Sequence, residues 1–123
     1  MDFVNFDLAK TLNEKGFEQG FNIFGYKLIF SDENTAKHIS NIGAYEKDYF
    51  GINIPCPTIS QVLCWLRKEK KIHIVIDFDS DMNWYYQIAP YGQTTYEKES
   101  EHKYKSYEQA ALAGIEYVLN NLI

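Results

Sequence analysis

Residues 57–91, PTISQVLCWLRKEKKIHIVIDFDSDMNWYYQIAPY, constrain this chain more than any other stretch, because they pass from helical to strand periodicity with no linker between. Thr58 followed by Gln61 has the spacing of a capping box, in which each side chain satisfies an orphan backbone donor of the other. Pro57 blocks a helix from running in upstream. Ile59, Val62, Leu63 and Leu66 recur at i, i+3, i+4 and i+7 and form one apolar stripe, with Trp65 beside it. Arg67, Lys68, Lys70 and Lys71 then crowd the last turn, where positive charge complements the helix dipole. That is the ordinary use of such a cluster, so it does not by itself point to phosphate or nucleic acid.

The alternation changes at residue 72. Ile72, Ile74, Ile76 and Phe78 alternate with His73, Val75, Asp77 and Asp79, and Trp84, Tyr86 and Ile88 alternate with Tyr85, Gln87 and Ala89. Asp79-Ser80-Asp81-Met82-Asn83 supplies turn chemistry between them. Placing Phe78 opposite Trp84 sets Ile76 against Tyr86 and Ile74 against Ile88, which keeps both apolar sets on one face; a one-residue slip would expose one set. The opposite face then carries His73, Val75, Asp77, Tyr85 and Gln87.

The remainder reads as material that completes this unit. Asn5 to Lys15 predicts a first helix, with Asn5 as cap, Val4, Leu8, Ala9 and Leu12 as its apolar side, Gly16 as a left-handed stop and Phe17 folding back on its end. Residues 21–30 read as a strand, 31–34 as a turn, 36–43 as a short helix or loop, and 49–54 as a strand leading into Pro55-Cys56-Pro57. Residues 94–99 read as a further strand and 99–105 as a charged, mobile loop. Ser106 and Gln109 form a second capping box, opening a helix with Tyr107, Ala111, Ile115, Val118 and Leu122 at helical spacing and Leu119 beside them. Gly114 inside it costs about 1 kcal/mol against Ala, which implies close packing of that helix on another backbone element. The expected architecture is an α+β fold over residues 1–123 as one domain: an antiparallel β-sheet with helices packed on one face.

At 123 residues the chain can bury a core without metal or disulfide support. No run approaches a membrane span and the N-terminus has no signal pattern, so a cytoplasmic protein is expected. Cys56 and Cys64 fit a reducing compartment. The net charge of −5 argues against general nucleic-acid or anionic-membrane binding.

No motif fixes a chemistry, and the residues nominate no catalytic, cofactor-binding or metal-binding set. His73 and Asp77 share a strand face but lie roughly 13 Å apart, too far to share an ion. Asp77, Asp79 and Asp81 imitate half of a calcium loop, yet Met82 and Ile88 stand where the Gly and Glu belong. Cys64 has no positioned base, and His38 and His102 lie in segments to which the sequence assigns no clear element. The unusual quantity is aromatic content, 16%, with ten Tyr and eight Phe. Tyr and Trp are enriched at interfaces, so the candidate interaction surface is Tyr85, Tyr91, His73 and Asp77. Its expected occupant is a protein partner, with a second copy of this chain among the candidates.

The segments IPCPTISQVLCWLRKEKKIHIVI, WYYQI and YKSYEQAALAGIEYVLNNL resemble a family of small uncharacterised proteins encoded by gut Bacteroidales genomes and their phages. Members pair a P-T-capped W-L-R helix with an I-H-I strand, an aromatic strand and a terminal S-Y-E-x-A helix. The resemblance covers the C-terminal half or somewhat more. It implies a phage or mobile-element origin and an architecture, and transfers no functional residue. From the residues themselves the expected function is an accessory or interaction protein acting by protein–protein contact, and an enzyme ranks last for want of a convergent polar set. The alternative is a nucleic-acid-binding module, because the order α-β-β-β-α from Thr58 onward is that of a double-stranded-RNA-binding domain.

Overall fold

Asn5 opens the first helix as its composition requires. In the computed structural model its side chain accepts a hydrogen bond from Leu8 N at 2.9 Å, starting α1 (Phe6–Glu14). Leu8, Ala9 and Leu12 are buried along one side, together with Val4 and Phe17. The helix stops on Gly16, at φ +92°, with Phe17 N donating to Leu12 O and Gly16 N to Asn13 O. These two bonds make a Schellman motif, which satisfies carbonyls that the helix end would leave open.

The structure describes residues 3–18, 26–32, 35–40, 54–90, 92 and 95–123, of which 26–32, 35–40 and 54–55 are described as backbone. They fall into two units, divided between Thr58 and Ile59. The first holds α1 and a three-stranded antiparallel sheet of β1 (Tyr26–Asp32), β2 (Thr35–Ser40) and β3 (Ile54–Pro55), in the order β2-β1-β3. Val4 N donates to Pro57 O at 3.1 Å, and Phe3 forms a bridge with Thr58. The expectation of a helix or loop at 36–43 is corrected for residues 36–40: they belong to β2, which pairs with β1 from Tyr26↔Ser40 to Asp32↔Thr35. Ala36 and Ile39 are three apart, which imitates a helix face, but the ladder to β1 satisfies the backbone and decides the conformation. β1 also extends through Ser31 and Asp32, which were expected in the turn. The first part of the strand expected at 21–30, residues 41–43, and most of the strand expected at 49–54 lie outside the described residues.

The second unit is the one that residues 57–91 announce. α2 (Ile59–Glu69) buries Ile59, Val62, Leu63 and Leu66, the full predicted stripe. Its end is closed by its own cations: Lys71 Nζ donates to Lys68 O at 2.8 Å, and Lys70 Nζ lies 5.4 Å from the Trp65 ring centre. Lys71 takes φ 58°, the left-handed step that turns the helix directly into a strand. β4 (Ile72–Phe78) and β5 (Trp84–Pro90) pair in the predicted register, Phe78↔Trp84, Ile76↔Tyr86 and Ile74↔Ile88. The Asp79 carboxylate holds the turn, accepting from Asp81 N and Asn83 N. Asp79 is therefore a turn residue, not a member of the strand face.

β6 (Lys98–Glu99) completes an antiparallel sheet of order β4-β5-β6. It is shorter than the strand expected at 94–99, and Thr95, Tyr96 and Glu97 are exposed. The expectation of a mobile loop at 99–105 is also corrected. Ser100 N donates to Tyr86 O at 2.9 Å, its hydroxyl accepts from Tyr86 N at 2.9 Å, and Tyr104 exchanges backbone bonds with Trp84. The donors and acceptors of β5 tie this segment down, and no local periodicity reveals that.

α3 (Tyr107–Asn121) begins at Ser106, whose hydroxyl accepts from Gln109 N at 3.2 Å. Gln109 reaches one residue further back than a capping box would, accepting from Lys105 N at 3.0 Å. α2 packs on β4 and α3, and α3 packs on β4 and β5. Both helices thus cover the face carrying Ile74, Tyr86 and Ile88, which are buried. Gly114 lies against side chains there: a Cβ on it would meet Ile74 Cγ2 at 3.0 Å and Tyr86 Cγ at 3.2 Å. Three expected core members are exposed instead: Phe78 at 46%, Tyr107 at 38% and Leu122 at 44%. Phe78 and Leu122 stand at the ends of their elements, and Tyr107 opens α3 with its ring edge-on to Trp84 at 6.0 Å.

Candidate functional site

The face of the β4–β5–β6 sheet away from the helices presents a polar cluster built around one aromatic stack. Tyr85 points to this face because its neighbours Trp84 and Tyr86 belong to the helix-bearing side. Its ring stacks on His102 with centroids 3.8 Å apart and planes 8° from parallel. His102 reaches it through a register mismatch. Tyr86 pairs with Ser100 and Trp84 with Tyr104, so Tyr85 alone on β5 faces three residues, Glu101, His102 and Lys103, on the returning chain. The surplus bulges outward and re-aims a side chain, as bulges do.

Two carboxylates hold the imidazole. His102 Nδ1 lies 3.0 Å from Asp79 Oδ2, and Nε2 lies 3.2 Å from Glu99 Oε2. Glu99 is in turn steadied by Gln87, whose Nε2 donates to Glu99 Oε1 at 2.7 Å. Desolvation alone would lower the His102 pKa, but the hydrogen bonds and charges of Asp79 and Glu99 outweigh it and the net shift is upward. The backbone donor of Asn83 is the largest influence on Asp79, and with His102 it holds that carboxyl below its usual range despite desolvation. Tyr85 is shifted upward, first by desolvation and then by the charges of Asp77, Glu99 and Asp79. The arrangement is an imidazole held between two carboxylates, which favour its protonated form, and lying flat on a phenol ring.

Of the four residues nominated from sequence, Tyr85 sits at the centre of this cluster, and Asp77 pairs with it across the strands, exposed. His73 lies on the same face toward the other end of β4, opposite Ala89. Its pKa is lowered, first by desolvation and then by the charge of Arg67, so it favours the neutral ring. Tyr91 lies outside the described residues. Sequence reasoning missed His102, Glu99 and the second role of Asp79. Only the bulge brings these to Tyr85, and a bulge in a charged segment leaves no periodic trace.

No protein-family model, curated protein or solved structure matches this chain.

Among the described residues no three His, Cys, Asp or Glu side chains converge to hold a metal ion. No described helix is long and apolar enough to cross a membrane. Cys56 is buried, and burial pushes its thiol up to about 11, which suppresses the thiolate that nucleophilic chemistry needs. Cys64 is free and half-buried on α2.

The basic side chains fall at opposite ends of the second unit's sheet. Lys70 and Lys71 precede Ile72, which pairs with Pro90, whereas Lys103 and Lys105 flank Tyr104, which pairs with Trp84 at the turn end. Six strand residues separate those ends, about 20 Å at 3.3 Å per residue. Lys103 Nζ lies 3.7 Å from Glu101, and Lys98 Nζ lies 4.9 Å from the Tyr117 ring centre.

Proposed function

We propose that this chain is a non-enzymatic accessory or interaction protein, of the phage or mobile-element type that its resemblance implies, working in the cytoplasm by protein–protein contact. The observation that carries the reading is the Tyr85–His102 stack with its rim of Asp77, Asp79 and Glu99. A pre-ordered aromatic platform costs little conformational entropy on binding, and aromatic anchors dominate interface energies. A rim of three carboxylates around one imidazole selects a partner segment bearing Lys or Arg.

The alternative is nucleic-acid binding. What favours it is the order α2-β4-β5-β6-α3 with both helices on one sheet face, which is the order of a double-stranded-RNA-binding domain. Element order is weak support for function. Charge weighs against it: the basic groups lie at opposite ends of the sheet, α3 opens with Glu108 in its first turn, and Asp79 and Asp81 occupy the β4–β5 turn. Phosphate contact needs a continuous cationic track.

The test compares wild type with Tyr85→Ala in partner capture from the native host. Tyr85 is half-buried and stacked on His102, so its removal should lower the melting temperature modestly and leave the circular dichroism spectrum native, while partner capture falls at least tenfold. An unchanged set of captured proteins would refute the interface. Salt-sensitive shifting of double-stranded RNA by the wild type would replace it with the alternative.

A further inference from the structure

β4 is a seven-residue strand at the edge of its sheet, and among the described residues it pairs only with β5. The direction of its backbone groups follows from its neighbours. On β5, the even-numbered residues Trp84, Tyr86 and Ile88 bond to the chain that returns through residues 97–104. The odd-numbered residues of β5 therefore bond to β4, through the pairs Asp77↔Tyr85, Val75↔Gln87 and His73↔Ala89. On β4 this leaves Ile72, Ile74, Ile76 and Phe78 directing N–H and C=O toward the outer edge. Phe78 N confirms the direction, since it donates to the side chain of its own neighbour, Asp77 Oδ1, at 2.8 Å, and not to β5.

Edge strands in soluble proteins are usually blunted by Pro, Lys, a bulge or short length. IHIVIDF has none of these. It is also self-complementary. When two copies run antiparallel about Val75, Ile74 meets Ile76, Ile72 meets Phe78, and His73 meets Asp77, each twice by symmetry. The edge-directed residues 72, 74, 76 and 78 then fall opposite one another as hydrogen-bonded pairs. His73, Val75 and Asp77 form the non-hydrogen-bonded pairs, whose side chains come closest. Phe78, 46% exposed, gains the half-buried Ile72 of the second copy as an apolar neighbour. A two-fold axis perpendicular to the sheet keeps the two helix-bearing faces on the same side, so the core pattern is continuous across the junction.

We propose that the partner of the β4 edge is a second copy of this chain, joined antiparallel about Val75 into a six-stranded sheet. In this register the neutral His73 ring can donate to the facing Asp77 carboxylate, whereas the neighbouring registers would set His73 against Val75 or against Asp79, whose carboxylate is already held by its own turn and by His102. The inference is separate from the outer-face reading, because Tyr85 does not lie on the edge.

The test uses the full chain in sedimentation over a concentration series. Wild type is expected to show a monomer–dimer equilibrium. Val75→Lys and Val75→Glu each set two like charges face to face across the two-fold, and each should lose the dimer while keeping the wild-type circular dichroism spectrum. Mixing the two in equal amounts should restore a dimer containing one of each, a rescue that misfolded variants cannot produce. A wild type that stays monomeric at every concentration, or a dimer that survives Val75→Lys, overturns the proposal, as does failure of the mixture to re-form a dimer. Tyr85→Ala should dimerise as wild type, so that loss of partner capture with retained dimer separates the two readings.

Discussion

Replacing Gly114 by Ala sets two known magnitudes against each other. Removing a mid-helix glycine favours α3 by about 1 kcal/mol. The new methyl, however, would stand 3.0 Å from Ile74 Cγ2 and 3.2 Å from Tyr86 Cγ. Carbon atoms prefer about 3.5–4.0 Å, so these neighbours must give by about 0.5 Å. Neither has room to do so. Ile74 and Tyr86 are 4% and 5% exposed, their strands are locked in register, and the Tyr86 ring is flanked by Tyr104 and Tyr117 at 6.1 and 6.4 Å. Overpacking of this kind costs about 1–3 kcal/mol, so the net expectation is a loss of about 1 kcal/mol. A urea titration followed by tryptophan fluorescence should place the midpoint about 0.5 M lower at unchanged slope. The cause can be isolated with a cycle through Ile74→Ala, which removes the crowding methyl. In that background Gly114→Ala should cost clearly less than in wild type, because the 3.0 Å contact is gone and only the 3.2 Å contact with Tyr86 still opposes the helix-propensity gain. A Gly114→Ala protein as stable as wild type, with additive energies around the cycle, would refute the claim that α3 is seated this closely on β4 and β5.

Two further outcomes are expected. Leu66 is fully buried on α2, so Leu66→Ala should cost about 2–5 kcal/mol; an unfolding midpoint equal to wild type would remove Leu66 from the core. The His102 cluster should also make stability depend on pH in two windows. Because the folded pKa of His102 lies above its ordinary 6.5, its contribution is complete below that value and is lost as pH rises through the folded pKa. Asp79 is shifted the other way, so its contribution is present above its ordinary 3.8 and is lost as pH falls through the lowered folded pKa. An NMR titration should place the His102 midpoint above 6.5 and bring it down in Asp79→Asn; a wild-type midpoint at or below 6.5 would sink the clamp.

What the sequence by itself determined are the elements whose causes are local. The Asn5 cap, the Gly16 stop, the α2 stripe and the Ser106 cap each depend on residues within one or two turns of one another, so helical spacing and cap chemistry are enough to place them. The β4–β5 register was legible for a related reason: a two-residue period with one buried face leaves a single pairing that hides both apolar sets, and the short turn from Asp79 to Asn83 brings the strands together. Tertiary structure decided the rest. β2 is a strand because β1 lies beside it, although its own residues carry no clear strand pattern. Ser100 and Tyr104 are pinned because β5 offers unpaired backbone groups there. The candidate site belongs to this second class. Tyr85 could be nominated from alternation, but its partner His102 lies 17 residues away in a charged segment without periodicity. Only the count of three residues between Ser100 and Tyr104 against one between Tyr86 and Trp84 forces the bulge that lays the imidazole on the ring, and that count exists only once the strands are paired.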